Sequence, residues 1–320
     1  MPTLELDRGD LEPHDEKALR SLSQFRIERV ATSGLAFEEA YAALFAEFGE
    51  RGEIERREVI SSWLDRGASG QLFDRDERRV DWQFHLLVAR DAAGTLAGVR
   101  DAHVTIDRER RECVVYLAHT LVLPEFRRGG LASLFRAAPV ALARRAIAEA
   151  LLTVADTDVL VAAEMEPAEL DSPPTLVRLV AYGRTGFAAI PPFALPYCQP
   201  DFRDRSNATE LARPLPLLPV VRWLGHAPPV TPSPSPLPAR LAAAYARHLY
   251  AVFATHCRAA DLARPLAHAL DALARSALDP VPLVPLPASL DDAAAFAPLT
   301  REATLRHHLP ELASPTPAPR

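Results

Sequence analysis

An α/β fold is what this 320-residue chain predicts, and three observations predict it. Two strand-like runs, QFHLLVAR (83–90) and LAGVRDAHVTI (96–106), flank a turn that contains Gly94, which is a hairpin signal. Apolar residues at helical spacing precede the hairpin at Phe37, Tyr41, Leu44, Phe45 and Phe48, and follow it at Leu131, Leu134, Phe135, Leu142 and Ile147. Between the hairpin and that later run, the apolar stretch ECVVYLAHTLVL (112–123) enters a turn carrying Arg127, Arg128, Gly129 and Gly130, which opens directly into a helix.

The remaining elements follow in order. SQFRIERV (23–30) alternates with Phe25 and Ile27 on one face and predicts a strand, and EIERREVISSWLDR continues from the first helical run as a second helix. Pro139 falls inside the helical pattern after the glycine turn; it removes one helix hydrogen bond and clashes with the preceding turn, so a kink or break is expected. DVLVAAEM (158–165) predicts a strand and PTLVRLVAYGRTG a helix. FAAIPPFALPYCQP and PLPLLPVVRWL supply the last two strands, their prolines suiting edges and bulges. APPVTPSPSPLP (227–238) is a proline-rich spacer. Beyond it, Leu241, Tyr245, Leu249, Val252 and Phe253 make one amphipathic stripe and Leu262, Leu266, Leu270 and Leu273 a second, hence a helical pair. The expected organisation is an acidic, solvated arm over 1–22, a domain over 23–226, a linker over 227–238 and a helical extension over 239–320, ending in an unstructured ASPTPAPR. The extension's helices could cover the domain, join two copies as a homodimer, or bind another protein.

Composition excludes several classes. A hydrophobic content of 48% with 24% charged residues is that of a soluble globular protein. No run approaches the ~18 apolar residues of a membrane span. The acidic N-terminal MPTLELDRGDLEPHDEKALR has no apolar h-region, so neither a signal nor a transit peptide is read and a cytoplasmic location is expected. Cys113, Cys198 and Cys257 are far apart and have no His or Cys at metal-ligand spacing, which argues for reduced thiols and against a zinc site. His307 and His308 find no third ligand at regular spacing. A net charge of −6 without a basic face argues against nucleic acid as a partner.

The glycine turn carries the chemistry. The first turn of a helix leaves N–H groups without intrahelical acceptors, and its dipole favours negative charge. With no Cβ at Gly129 or Gly130 a phosphate can approach the main chain, while Arg127 and Arg128 place positive charge at the rim.

This stretch resembles the acetyl-CoA loop of the GNAT acetyltransferases, whose pattern is Arg or Gln, two residues, Gly, one residue, then Gly or Ala; Arg127, Gly130 and Ala132 stand at those positions. Val122, Leu123, Pro124 and Glu125 resemble the strand ending that precedes the loop in that family. Tyr182, Gly186 and Phe187 match its second motif, Tyr, three residues, Gly, Phe. The resemblance covers residues 24 to 225. It departs where the family often has Asn at the start of the second motif's helix, since Pro174 and Thr175 stand there and leave that cofactor contact in doubt. Without the resemblance, the two motifs read as a structural strand-to-helix turn and a helix C-cap glycine.

The resemblance implies a GNAT-like fold, a mixed, mostly antiparallel sheet flanked by helices and splayed near the loop, with the C-terminal helical extension added. It implies acetyl-CoA as co-substrate, no metal, and a primary amine on a small molecule or peptide as acceptor. Arg127, Arg128, Gly129, Gly130, Leu131 and Ala132 would hold the pyrophosphate, the strand Leu121, Val122 and Leu123 the pantetheine, chiefly through the main chain of Leu121 and Leu123, and Tyr182 the sulfur. A phenol of pKa ~10 facing a thiolate whose conjugate acid is near ~8.5 is about 2 kcal/mol short of full proton transfer, which favours hydrogen bonding to the thiolate. The other reading of Tyr182 is a core ring packed beside Phe187. Glu164, Glu166, His119 and His103 are candidate bases, with bound water as a further one. A noncatalytic CoA-binding module and an interaction protein using the C-terminal helices are the competing functions.

Overall fold

The hairpin announced by Gly94 is the centre of the strand pairing. Asp91 Oδ1 accepts from the N–H groups of Ala93 and Thr95 at 2.9 and 2.8 Å, and Gly94 takes a left-handed φ of 86°. The computed structural model describes residues 2–6, 8–11, 17–50, 52–202, 214–225 and 234–308. The chain divides into two compact units, Met1–Val161 with Phe202–Asp204, and Ala162–Asp201 with Arg205–Arg320. The division falls inside a strand and not at the expected linker 227–238, of which only 234–238 lie among the described residues. The terminal ASPTPAPR lies outside them.

In the first unit, the elements run α1 Lys17–Ser21, β1 Arg26–Val30, α2 Leu35–Phe48, α3 Arg57–Asp65, β2 Ser69–Phe73, β3 Arg79–Arg90, β4 Leu96–Asp107, β5 Glu112–Tyr116, β6 Thr120–Val122 and α4 Leu131–Glu149. β7, Asp158–Met165, begins in this unit. The strand order is β1-β3-β4-β5-β7, with β2 also on β3 and β6 also on β4. The sheet is mixed and mostly antiparallel and is flanked by helices, and the order of strands and helices is the expected one. β2 was not legible beforehand, because SGQLF is half polar and carries no alternation.

Two expectations change here. α4 runs unbroken through Pro139. A mid-helix proline costs about 3 kcal/mol, and the helix is buried along most of its length, with Leu131, Leu134, Phe135, Ala138 and Leu142 in one core cluster with Ile27, Leu87 and Ala89. That burial offsets the lost hydrogen bond. The N-terminal segment is not a solvated arm where it is described: Leu4 and Ala18 join the same cluster, Leu4 N–H donates to Ile27 O at 2.8 Å, and Thr3 bridges Glu28. Its leucines outweigh its acids.

In the second unit, β7 is followed by α5 Pro173–Gly183, β8 Ala188–Ala189, β9 Cys198–Gln199, β10 Leu215–Pro216, β11 Leu218–Trp223, α6 Ala239–Phe253, α7 Ala259–Ser276, β12 Val284–Pro285, α8 Ala293–Phe296 and α9 Arg301–Leu305. The order is β7-β11-β8-β12, with β9 and β10 as a separate pair. The run expected as one strand, FAAIPPFALPYCQP, forms only β8 and β9, because Pro191, Pro192 and Pro196 cannot donate to a ladder. The C-terminal helices are part of this unit's core. Tyr245, Leu249 and Phe253 are buried, Tyr250 Oη donates to Cys198 O at 2.7 Å, and Ala168 N–H donates to Leu299 O at 2.7 Å.

Candidate cofactor site

A one-residue insertion in the strand after the hairpin sets the site. On β4 the pairs His103 with Tyr116 and Arg100 with Thr120 leave three steps on one strand against four on the other, which is a β-bulge at Leu117–His119. Without it, the main-chain groups of Leu121 and Leu123 would point away from β4, as expected for a pantetheine edge. With it they turn inward: Leu123 N–H donates to Ala97 O at 3.0 Å and His119 O accepts from Asp101 N–H at 3.2 Å, so by the alternation of an antiparallel ladder Leu121 also bonds into β4. The outward groups belong to Thr120 and Val122. Among the described residues β6 pairs with β4 alone, and Val122 O accepts from Arg127 Nε at 3.2 Å.

After β6 a short 3-10 turn, Pro124–Phe126, leads to the glycine loop. Arg128 and Gly130 both take left-handed φ, 72° and 85°. Gly130 is suited to that conformation, whereas Arg128 is strained by it. Gly129 is in an ordinary conformation; a Cβ there would meet Phe126 O and the Phe25 ring at 3.4 and 3.5 Å, and its carbonyl accepts from Ser21 Oγ at 2.8 Å. Gly130 caps α4, its carbonyl accepting from Ser133 N–H at 2.9 Å, and no side chain caps the helix. Among the described residues none of the N–H groups from Arg128 to Ala132 finds an acceptor. Arg127, Arg128 and Ala132 are exposed, and Leu131 is buried, so Leu131 offers only main chain. The turn therefore presents a row of unpaired amides at the positive end of a 19-residue helix.

His119 is in the same unit, inside the bulge. Its Nδ1 donates to Asp101 Oδ2 at 2.9 Å and its Nε2 to Glu53 O at 2.8 Å, while its own N–H donates to Asp101 Oδ1 at 2.5 Å. Both ring nitrogens face groups that only accept, so the ring carries two protons. Burial alone would lower its pKa, but the charge and hydrogen bond of Asp101, with Glu55 and the Glu53 carbonyl, push it up to about 10. An imidazolium has no lone pair with which to take a proton from an amine, so this geometry removes His119 as a base. His103 is a core residue: its Nδ1 accepts from Trp82 Nε1 at 3.0 Å, it stacks with Trp82 and Tyr116, and burial lowers its pKa to about 4. The carboxylates of Glu55 and Asp101 and the His119 ring lie within 4.8 Å of one another. The ring bonds only Asp101 of the two carboxylates, and Glu55 acts on it as a nearby charge.

The second motif lies in the other unit. Tyr182 ends α5, and its carbonyl accepts from the N–H groups of Thr185 and Phe187 at 3.0 and 3.2 Å. Gly186 has the left-handed φ of 78° that this turn requires, and Phe187 is buried under the Arg222 guanidinium at 5.3 Å. The Tyr182 ring packs edge-on against Phe187 with centroids 4.9 Å apart, while its hydroxyl has no hydrogen-bond partner among the described residues. The ring packing is the one expected of a residue beside Phe187. Glu164, on β7, accepts from Tyr197 Oη, and Glu166 is tied to Arg178 Nη2 at 2.6 Å. The structure brings Thr120, Val122, the glycine loop and His119 into one unit, and Tyr182, Glu164 and Glu166 into the other. Tyr197 was missed because nothing in the proline-rich run marks it as a partner of Glu164. Asp101 was within reach of sequence, since continuing the β4–β5 register from Asp107 with Glu112 brings it near His119.

No protein-family model matches the chain, and no curated protein matches it in sequence. Solved structures similar to it include the glucosamine N-acetyltransferase region of a fungal multi-domain β-N-acetylglucosaminidase, at 15% identity over 52% of this chain and 17% of that one, with a TM-score of 0.36. A GNAT-family acetyltransferase from Staphylococcus aureus aligns at 10% identity over 62% of this chain and 99% of that one, TM-score 0.32. The spermidine N-acetyltransferase of Vibrio cholerae, solved with CoA and spermine, aligns at 14% identity over 63% and 96%, TM-score 0.33. The chain spans 17% of the length of the first of these. At such TM-scores the superpositions are partial, and the chemistry rests on the residues described above.

Proposed function

We propose that this chain is an N-acetyltransferase of the GNAT kind that moves the acetyl group of acetyl-CoA to a primary amine. The observation that carries the reading is the row of unpartnered N–H groups from Arg128 to Ala132, placed where β6 ends and α4 begins. Five consecutive donors at a helix N-terminus suit a pyrophosphate, and the exposed Arg127 and Arg128 add charge around it. The outward main-chain groups of Thr120 and Val122 suit the amides of a pantetheine arm, which would extend β6 as an added strand.

Acetyl-CoA supplies a thioester carbon that a neutral amine nitrogen attacks, with the C–S bond breaking and the amine proton leaving to a base. The Tyr182 hydroxyl, which has no hydrogen-bond partner among the described residues, is suited to donate a hydrogen bond to the departing sulfur. Glu164 is the candidate proton acceptor; its hydrogen bond from Tyr197 Oη fixes the carboxylate. Water serves equally for an α-amino acceptor of pKa ~7.7 to 8.0. The test is titration of the purified protein with acetyl-CoA, CoA and desulfo-CoA by calorimetry, followed by thiol-release assays on polyamines, amino acids, aminoglycosides and peptides. Absence of CoA binding would overturn the reading, and tight binding without turnover on any amine would leave a CoA-binding module.

A further inference from the structure

Arg100 lies in the middle of β4, is 1% exposed, and has no hydrogen-bond partner at Nε or Nη2 among the described residues. Its cross-strand neighbours are Leu87 and Thr120. Its neighbours along the same face of β4 are Gly98 and Ala102, so none of these four residues can neutralise it. That face is the one covered by α4, because a Cβ on Gly98 would come within 2.9 Å of Phe135 and 3.3 Å of Leu131. The positive end of α4 therefore adds to the guanidinium instead of compensating it. Leaving a charge buried without a hydrogen-bonding partner is strongly unfavourable. Thr120, half-buried and paired with Arg100, is also the first residue whose main chain faces outward along the β6 edge.

We propose that Arg100 receives a carboxylate of the substrate beside Thr120, carried either by the acyl group of the donor or by the amine acceptor. This rests on the acyl-CoA reading above and deepens it: β6 leads from the glycine loop back to Thr120, so a pantetheine lying on it would bring its thioester end toward Arg100. A guanidinium fork recognises a carboxylate in two parallel hydrogen bonds.

The full-length protein, Arg100→Met and Arg100→Lys are compared in two arms. The donor arm measures affinity for CoA, acetyl-CoA and succinyl-CoA; the acceptor arm measures CoA release from acetyl-CoA with lysine against cadaverine, the same amine without its carboxylate. The expected result is a preference of about tenfold or more for the carboxylated member of one arm in the wild type, lost in Arg100→Met and partly kept in Arg100→Lys. Unliganded Arg100→Met should also melt no lower than the wild type, as removal of an uncompensated charge predicts. Wild-type CoA binding without a carboxylate preference in either arm overturns this inference alone, as does a preference that survives Arg100→Met. Equal loss of affinity for all three donors in Arg100→Met overturns it too, assigning Arg100 to the phosphates. Failure of the wild type to bind any CoA overturns the acyl-CoA reading and this proposal with it.

Discussion

His119 and Asp101 form a buried ion pair across the bulge, with His119 Nδ1 2.9 Å from Asp101 Oδ2 and the His119 amide donating to the other carboxylate oxygen. The His119 pKa, pushed up to about 10 from an ordinary 6.5, makes its contribution to stability complete below about pH 6.5 and lost as pH rises through about 10. Burial works against the Asp101 charge, but His119 more than compensates and holds its pKa below 3.8, so that contribution is present above about pH 4 and lost on acidification. Melting temperature should therefore fall between pH 6.5 and 10. The double variant Asp101→Asn, His119→Gln should show a flatter profile over the same range; parallel profiles would mean that the pair does not set the pH dependence.

Gly130→Glu should abolish stabilisation by acetyl-CoA. A carboxylate would then sit among the unpaired amides, and a side chain would be forced into the left-handed φ of 85°. A ligand at ~100 times its dissociation constant raises stability by about 2.7 kcal/mol, enough for a clear thermal shift. An equal shift in the variant would remove the loop from the cofactor site.

Arg128→Gly should act in opposite directions on fold and ligand. Relief of the left-handed φ of 72° should stabilise the unliganded protein by about 1 kcal/mol, less the extra freedom glycine gives the unfolded chain. Loss of the charge should weaken acetyl-CoA binding severalfold, an effect that shrinks at high salt. Denaturant melts and calorimetry at two ionic strengths read the two effects separately.

The hairpin, α2, α4 and α5 were legible because their signals are local: Gly94 between alternating runs, and apolar spacing along Phe37–Phe48 and Leu131–Ile147. The glycine loop was legible for the same reason. The orientation of Leu121 and Leu123 was not, because a bulge at Leu117–His119 is a property of two strands and leaves no mark in one. Nor was the status of His119, whose protonation is set by Asp101 from the preceding strand. The division between Val161 and Ala162 is not legible in the sequence, because Pro-rich composition marks an extended segment, whereas membership of a core depends on distant pairings such as Val284 with Ala189.

Tyr182→Phe should lower kcat ten- to a thousandfold, on the order of a few kcal/mol, with acetyl-CoA affinity unchanged within about threefold. The packing against Phe187 survives the change, so the variant isolates the hydroxyl. Once an acceptor is found, unchanged kcat would assign stabilisation of the sulfur to water or to another residue.

Deletion of 229–320 should disrupt the second unit while the first remains folded. It removes β12 from β8, and with it the close approach of the Pro287 backbone to Gly183, one residue after Tyr182. It also strips the buried Tyr245, Leu249 and Phe253. Hydrogen exchange should show protection retained in β3 and β4 and lost in α5 and β8; uniform protection of both would separate the extension from the motif.

The bulge makes the strand from Glu112 to Val122 two devices with independent phase. Upstream of it, odd-numbered main-chain groups face away from β4, as at Arg111, whose carbonyl accepts from Asp158 N–H at 2.8 Å; downstream, the even-numbered ones do. Substitutions within Glu112–Tyr116 can therefore retune the sheet core without changing which amides meet a ligand, whereas loss of a single residue at Leu117–His119 would swap the roles of Leu121 and Val122 in one step. Insertions and deletions, which most loops absorb, become at this position the changes that re-phase the proposed cofactor edge, whereas a substitution there leaves the phase of the strand intact.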